Sequence, residues 1–313
     1  MRRSSLARPL TAAVAAVLIS GALVGCTGFS IDGSCTPTIS SGDGSSTVTA
    51  TGKVSTDPNV DFPTPLIVHA PQRSVVIAGD GNRVEAGDAV SVDYSIWLGS
   101  DGTKLGSSYS ADPSYLIADE SVLALGDSLT CATVGSRVAL ATTAAAVYGV
   151  GGLSAQGIAD DETLIYVIDI ESSYLGKANG FNQIPQDGMP TVVTAVDGTP
   201  GISVLAKSLP SETRVETVKA GGGAVVADGD TALLHVRNWA WAADDSVTLG
   251  GTDSWSKHIP GTQVITKDAA EPLSSVVGAT VGSQLLVVVP AADGSGTATI
   301  WVVDVLGITA HAG

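Results

Sequence analysis

Basic residues are scarce in this chain: 15 Lys and Arg stand against 31 Asp and Glu, a net charge of −16. Such a surface repels nucleic acid, and no basic cluster offers a footprint for phosphates. Cysteine and histidine are scarce too, with three Cys (Cys26, Cys35, Cys131) and four scattered His (His69, His235, His258, His311), which gives no metal-ligand spacing. No metal and no cofactor are expected. No Gly-x-Ser-x-Gly elbow is present, and Gly221-Gly222-Gly223 lacks a following Lys-Ser/Thr, so it reads as a turn and not a phosphate cradle. The paired acids Asp160-Asp161-Glu162 and Asp244-Asp245 read as solvated turns, with weak Ca²⁺ binding as the alternative. Beyond the first residues, no apolar run is long enough to span a bilayer.

The N-terminus holds the one long apolar run. Arg2, Arg3 and Arg8 precede an apolar stretch from Leu10 to Val24. It is short for a membrane span but suits the apolar region of an export signal. The stretch ends in Leu23-Val24-Gly25-Cys26, which resembles the lipobox of bacterial lipoproteins. That resemblance implies a signal peptide over residues 1–25, a lipid on Cys26 and a place on the extracytoplasmic face of the cell membrane. A plain secretory signal with an incidental Cys is the alternative. Arg2-Arg3 hints at twin-arginine export, but the rest of that motif is absent. Cleavage would leave 12 basic against 31 acidic residues, a net charge of −19. In an oxidising compartment Cys35 and Cys131 are expected to pair as a disulfide; two free thiols are the alternative.

Residues 26–55 are rich in Ser, Gly and Thr and read as a flexible, lipidated tether. The remainder repeats itself. Gly87-Asp88 returns as Gly229-Asp230, Thr133-Val134-Gly135-Ser136 as Thr280-Val281-Gly282-Ser283, and Leu164 to Ile170 as Thr299 to Val305. Three blocks in the same order at similar spacing indicate a tandem domain duplication. The second copy is shorter between its last two blocks. Alternation at Val90, Val92, Tyr94 and Ile96 marks a strand, as do the stretches 138–140 and 164–170. One short helix per copy is expected, within 121–130 and within 268–277. The expected fold is therefore α+β, with an antiparallel sheet and one short helix in each domain. The expected bounds are 56–175 for the first domain, 176–185 for a linker and 186–313 for a degenerate second domain.

These blocks resemble FKBP-type peptidyl-prolyl isomerases, especially the tandem FKBP-like lipoproteins of actinobacteria. The matching elements are Gly87-Asp88-x-Val90-x-Val92-x-Tyr94, Gly102-x-x-Leu105-x-Ser107-Ser108, Val134-Gly135-Ser136-Arg137, Tyr148-Gly149 and Glu162 to Val167. The resemblance implies an apolar aromatic pocket in the first copy, formed by Tyr94, Leu105, Leu125, Tyr148 and Tyr166. Tyr148 would donate a hydrogen bond to the substrate carbonyl, and Tyr115 is a looser candidate for a wall. Leu105 and Leu125 stand where larger aromatics are usual, and Gly106 stands where the family has an Asp. In the second copy Val236 takes the Tyr94 position, Trp301 takes the Tyr166 position, and the Tyr-Gly loop is missing. Trp239, Trp241 and Trp255 read either as core or as an exposed patch for a partner.

The implied function is a tethered prolyl isomerase acting on proline-containing exported polypeptides, with a weakened site in the first domain only. The alternatives are a non-catalytic FKBP-like chaperone or binding lipoprotein, and a purely structural envelope lipoprotein.

Overall fold

A computed structural model describes residues 35–111, 113–118, 123–205, 208–291 and 296–311. Cys26 and the leader lie outside these residues.

Two antiparallel sheets share one topology. In the first, the strand order is Gln72–Ile77, Arg137–Thr143, Thr163–Tyr174, Ala89–Leu98, Lys104–Ser107, and Ser114–Ile117 also pairs with Ala89–Leu98. In the second, Arg214–Ala220, Gln284–Pro290, Thr297–Ala310, Thr231–Ala242 and Val247–Asp253 follow in the same order, and Gly261–Val264 pairs with Thr231–Ala242. The duplication reaches individual hydrogen bonds. Asp88 Oδ2 accepts the Glu85 N–H at 3.0 Å, and Asp230 Oδ2 accepts the Ala227 N–H at 2.8 Å. Ser136 Oγ accepts the Gly79 N–H, and Ser283 Oγ accepts the Gly221 N–H. The intervening Val-Gly-Ser turns place Gly135 at φ 85° and Gly282 at φ 92°. A side chain is strained in that region, so both copies keep glycine there.

Each strand divides its residues between two faces. Val90, Val92, Tyr94, Ile96 and Leu98 turn toward the cluster that contains Leu129, Leu140, Tyr166 and Ile168. This front face also receives the helix Leu123–Asp127. Trp97, Ala139, Ala141, Ile165 and Val167 turn to the back, where Val48, Ala50 and Val68 cover them. The segment expected as a flexible tether is thus ordered from residue 36 to residue 55. It forms the helical turn Asp43–Ser46 and the strand Thr49–Thr51, which pairs with Asn59–Asp61. Burying each valine there contributes about 1.5–3 kcal/mol. The second sheet has the same annex. The hairpin Thr191–Thr194/Pro200–Ser203 lies over Trp239, Trp241, Leu286 and Ile300. Residues 176–185, expected as a linker, also join the second sheet, through Phe181–Asn182 beside Lys219 and Ala220. The two sheets meet at a seam of Ala89, Ile117, Leu233 and Leu306, flanked by Tyr115, Tyr174 and Leu175.

Sheet dominates the chain. α-Helix is confined to Asp43–Ser46, Leu123–Asp127 and Ala144–Tyr148 among the described residues. The α+β expectation therefore rests on little helix. In the second domain the expected helix is only the 3₁₀ turn Ser274–Val276. The Cys35–Cys131 disulfide is formed. Trp239, Trp241 and Trp255 are buried, so the exposed-patch alternative fails and the core alternative holds.

The back face of the first sheet contains a fully buried ion pair. Arg137 Nε and Nη2 each lie 2.6 Å from an oxygen of Asp169, directly across the strand pair. The remaining guanidinium protons reach annex carbonyls: Gly52 at 3.3 Å, Lys53 at 2.8 Å and Thr56 at 2.9 Å. Asp169 Oδ2 also accepts the Ser55 N–H at 2.8 Å. The second domain replaces this arrangement with Gln284 Nε2 donating to Asp304 Oδ1 at 2.8 Å, while Asp304 Oδ2 accepts the Ala178 N–H. Without a cation as close as Arg137, burial pushes the Asp304 carboxyl up to about 6, partly offset by these hydrogen bonds and by Lys219.

Removing the arginine strands a buried carboxylate. Arg137→Ala should cost about 3–5 kcal/mol in urea unfolding at neutral pH. Arg137→Gln, which copies the second domain's pair, should cost clearly less; equal losses, or losses under about 1 kcal/mol, would contradict this account. Asp304 gives the opposite pH dependence to a paired carboxylate. Its folded pKa is raised, so its stabilising contribution is complete below the unfolded value of 3.8 and is lost as pH rises through about 6. Asp304→Asn should remove that decline, so the difference in unfolding free energy between the two proteins changes from acid to neutral pH. A constant difference would refute the assignment.

Candidate functional site

The front face of the first sheet brings three tyrosines together. Tyr94 lies in the middle of the strand Ala89–Leu98, opposite Ile168 and diagonal to Tyr166, which pairs with Ile96. Diagonal neighbours on one face are within reach of aromatic rings. The two rings lie 6.2 Å apart between centroids, tilted by 51°. Tyr148 arrives from another element. It is the last residue of the helix Ala144–Tyr148, which Gly149 ends at φ 77°. The Tyr166 hydroxyl donates to the Tyr148 hydroxyl oxygen at 2.8 Å.

The two phenols differ in environment. Tyr166 is fully buried, whereas Tyr148 is 42% exposed. Burial, then the hydrogen bond to Tyr148, pushes the Tyr166 phenol well above its ordinary value. Tyr166 therefore stays protonated and acts as a donor. Tyr148, having accepted that bond, keeps its own proton free to donate outward. A chain of two hydroxyls polarises along its length and strengthens the terminal donor.

The loop behind Tyr148 is held by acids that the sequence suggested were solvated turns. Asp160 Oδ1 accepts the Gly151 N–H at 2.7 Å, and Glu162 Oε1 accepts the Ser100 N–H at 3.1 Å. Val147 from the helix Ala144–Tyr148, and Leu153 and Ile158 from this loop, pack against the tyrosine cluster. Sequence reasoning passed over these three, because single apolar residues in a one-turn helix and a Gly-rich loop have no periodicity. It also left Ser108 without a role. Ser108 Oγ accepts the Tyr94 N–H and donates to Asp93 Oδ1, each at 2.8 Å, which fixes the strand that carries Tyr94. Ser254 repeats this in the second domain, with His235 in place of Asp93.

The other expected pocket residues divide. Leu125, on the helix Leu123–Asp127, is half-buried against the cluster. Leu105 is 42% exposed on the edge strand Lys104–Ser107 and is not part of the packed cluster. Tyr115 does not line the site. It packs against Tyr174 in the seam between the sheets, with ring centroids 6.3 Å apart. The positions equivalent to Tyr94 and Tyr166 in the second domain, Val236 and Trp301, pack half-buried on that domain's front cluster without a hydroxyl. Residues 292–295, where the Tyr-Gly loop was expected to be missing, lie outside the described residues. Among the described residues no cluster of His, Cys, Asp or Glu could hold a metal ion.

Residues 81–171, which carry all five expected pocket residues, match the family model described as FKBP-type peptidyl-prolyl cis-trans isomerase. No curated protein matches the chain. Among solved structures, the three FKBP domains of wheat FKBP73 match at 16% identity and a TM-score of 0.33, over 77% of this chain and 95% of that one. FkpA from Escherichia coli matches at 25% identity and a TM-score of 0.29, over 33% of this chain and 47% of that one. The N-terminal domain of FKBP42 from Arabidopsis thaliana matches at 16% identity and a TM-score of 0.31, over 39% of this chain and 98% of that one.

The buried donor gives a direct test. Tyr166 should not ionise while the chain is folded, so the alkaline rise in tyrosine absorbance should be the same for the native protein and for Tyr166→Phe. A smaller rise in the variant would show that Tyr166 titrates and is not the permanent donor described here.

Proposed function

Starting from an FKBP-type first domain, we propose that this chain is a prolyl cis–trans isomerase of reduced efficiency, with one working site. The observation that carries the proposal is the Tyr166–Tyr148 hydroxyl pair beside the Tyr94 ring, within the segment that matches the family. Isomerisation needs little covalent chemistry. The X–Pro bond must rotate through a barrier of about 18–20 kcal/mol. Rotation removes amide resonance, so the twisted amide is less polar than the planar one. A site that excludes water and offers aromatic walls favours the twisted form. Tyr94 and Leu125, both half-buried, provide the walls, backed by the fully buried ring of Tyr166. Tyr148, at the exposed end of the hydroxyl pair, donates to the carbonyl of the bound peptide.

The reading of a weakened site rests on two residues. Leu105 is turned partly to solvent, and Gly106 brings no carboxylate to the strand that faces Tyr94. These same features favour a second reading, in which the domain holds proline-containing segments without turning them over. Substrates are proline-containing exported polypeptides in either reading. The chain acts at the extracytoplasmic face of the membrane, held by a lipid on Cys26. The second domain, with Val236 and Trp301 in place of the two tyrosines, serves as a scaffold or docking domain.

Proline-limited refolding of a model protein separates the two readings. The full chain should accelerate the slow phase, and Tyr148→Phe should abolish most of that acceleration; suppression of aggregation with no acceleration would leave only the holding function. Gly106 has no atom within 4 Å of the place where a Cβ would stand and has no positive φ, so a side chain fits there. Gly106→Asp should therefore raise turnover, and a fall would refute the account of the weakened site. Incorporation of labelled fatty acid in a bacterial host should be lost in Cys26→Ser. Retained label would place the lipid elsewhere.

A further inference from the structure

The second domain has a groove that the tyrosine site does not use. Val192 to Val196 line one wall, and Asn182, Gln183, Val218 and Lys219 line the other, enclosing about 630 Å³. Open strand edges flank it. The hairpin Thr191–Thr194/Pro200–Ser203 is a separate two-stranded sheet, so among the described residues no strand pairs with the outer edge of Thr191–Thr194. Phe181–Asn182 is likewise the last strand of its sheet. The hairpin's hydrogen bonds show which groups face outward. The Ala195 N–H donates to the Thr199 carbonyl at 2.9 Å. By antiparallel alternation Val193 and Thr191 then bond inward, while Val192 and Thr194, both lining the groove, direct their N–H and C=O groups away from the hairpin's second strand. An open edge of this kind is a template for another strand.

The side chains around the groove point to a partner. Val193 and Val196, which line the groove, are 61% and 95% exposed, and Phe181 and Ile184, next in sequence to its lining residues Asn182, Gln183 and Pro185, are 87% and 91% exposed. Large apolar residues gathered around a groove mark interaction sites, whereas single ones need no explanation. The charge is also unusual for this chain. Lys177 and Lys219 line the groove and no acid does, although acids outnumber bases two to one in the sequence. The Lys177 ammonium donates to the Val196 carbonyl and that of Lys219 to the Ala178 carbonyl, which leaves each with further protons to give.

We infer that this groove binds an extended polypeptide segment carrying acidic side chains, which adds as a strand beside Thr191–Thr194. Backbone pairing to Val192 and Thr194 would supply affinity independent of sequence, and alternate side chains would meet the apolar rim and the two lysines. This inference is independent of turnover in the first domain.

The test uses the full chain and a short fluorescein-labelled peptide of alternating Val and Glu, followed by fluorescence anisotropy. Saturable binding is expected, and the matching Val and Lys peptide should not bind. Val196→Glu, at a position almost wholly in solvent, should weaken binding roughly tenfold by setting a negative charge beside the peptide's carboxylates. Thr194→Pro removes an outward N–H and should do the same, with far-UV circular dichroism confirming the fold. Acceleration of refolding should be unchanged in Val196→Glu. The inference is overturned by equal binding of both peptides, by no saturable binding, by binding indifferent to Val196→Glu, or by sedimentation showing that a second copy of the chain occupies the groove.

Discussion

The buried pair of Arg137 and Asp169 is the constraint around which the first domain is arranged. Two charges fully out of water are tolerable only when every donor and acceptor is met. The pair meets this condition by recruiting the backbone of residues 51–56. Coverage of the back face is therefore required, because without the annex the guanidinium would face solvent on one side and lose its carbonyl partners. Once the back is sealed, the strand Thr163–Tyr174 is fixed in register, and its opposite face presents Tyr166 three residues before Asp169. The hydroxyl pair on the front depends in this way on the ion pair behind it.

The second domain shows what happens when this constraint relaxes. Gln284 replaces the arginine, and its single amide satisfies one oxygen of Asp304 while a backbone N–H satisfies the other. The strand geometry survives, since the same residues of the sheet still pair across it. The front face does not keep its chemistry. Val236 and Trp301 take the positions of the two tyrosines, half-buried on the cluster, but supply no hydroxyl. Frame and side-chain chemistry have separated: polar turns and sheet order persist in both copies, and the hydroxyl pair is found in one.

Much of this was legible in the sequence because the repeated residues each have a fixed task. Gly87-Asp88 and Gly229-Asp230 stand out since each aspartate closes the same turn on a backbone N–H. Alternation from Val90 to Ile96 identified the front face, and the tyrosines followed from motif spacing. The annex was not legible. Val48 and Ala50 enter its packing one at a time from a Ser-, Gly- and Thr-rich stretch whose composition reads as flexible, and they meet Val60 and Phe62 from the start of the expected first domain. Its counterpart strand at Thr191 lies at the same offset of 142 as the Gly-Asp turns, but three or four β-prone residues are too few to register as a repeat. Tyr115 was misplaced, and the tryptophans were left open between core and surface, for a different reason. Periodicity tells which residues share a face but not what covers that face, and here a neighbouring sheet and an annex do so.

The central claim is that a proline peptide engages the front of the first domain at a hydroxyl pair that the second domain lacks. Carbon-13 NMR of tyrosine-labelled protein titrated with a short proline peptide tests this most directly. The account predicts that the ring signals of Tyr94, Tyr148 and Tyr166 shift together, that those of Tyr115 and Tyr174 remain in place, and that the peptide's cis and trans signals exchange faster. A peptide that moves the seam tyrosines, or that leaves Tyr148 and Tyr166 unperturbed, would contradict it.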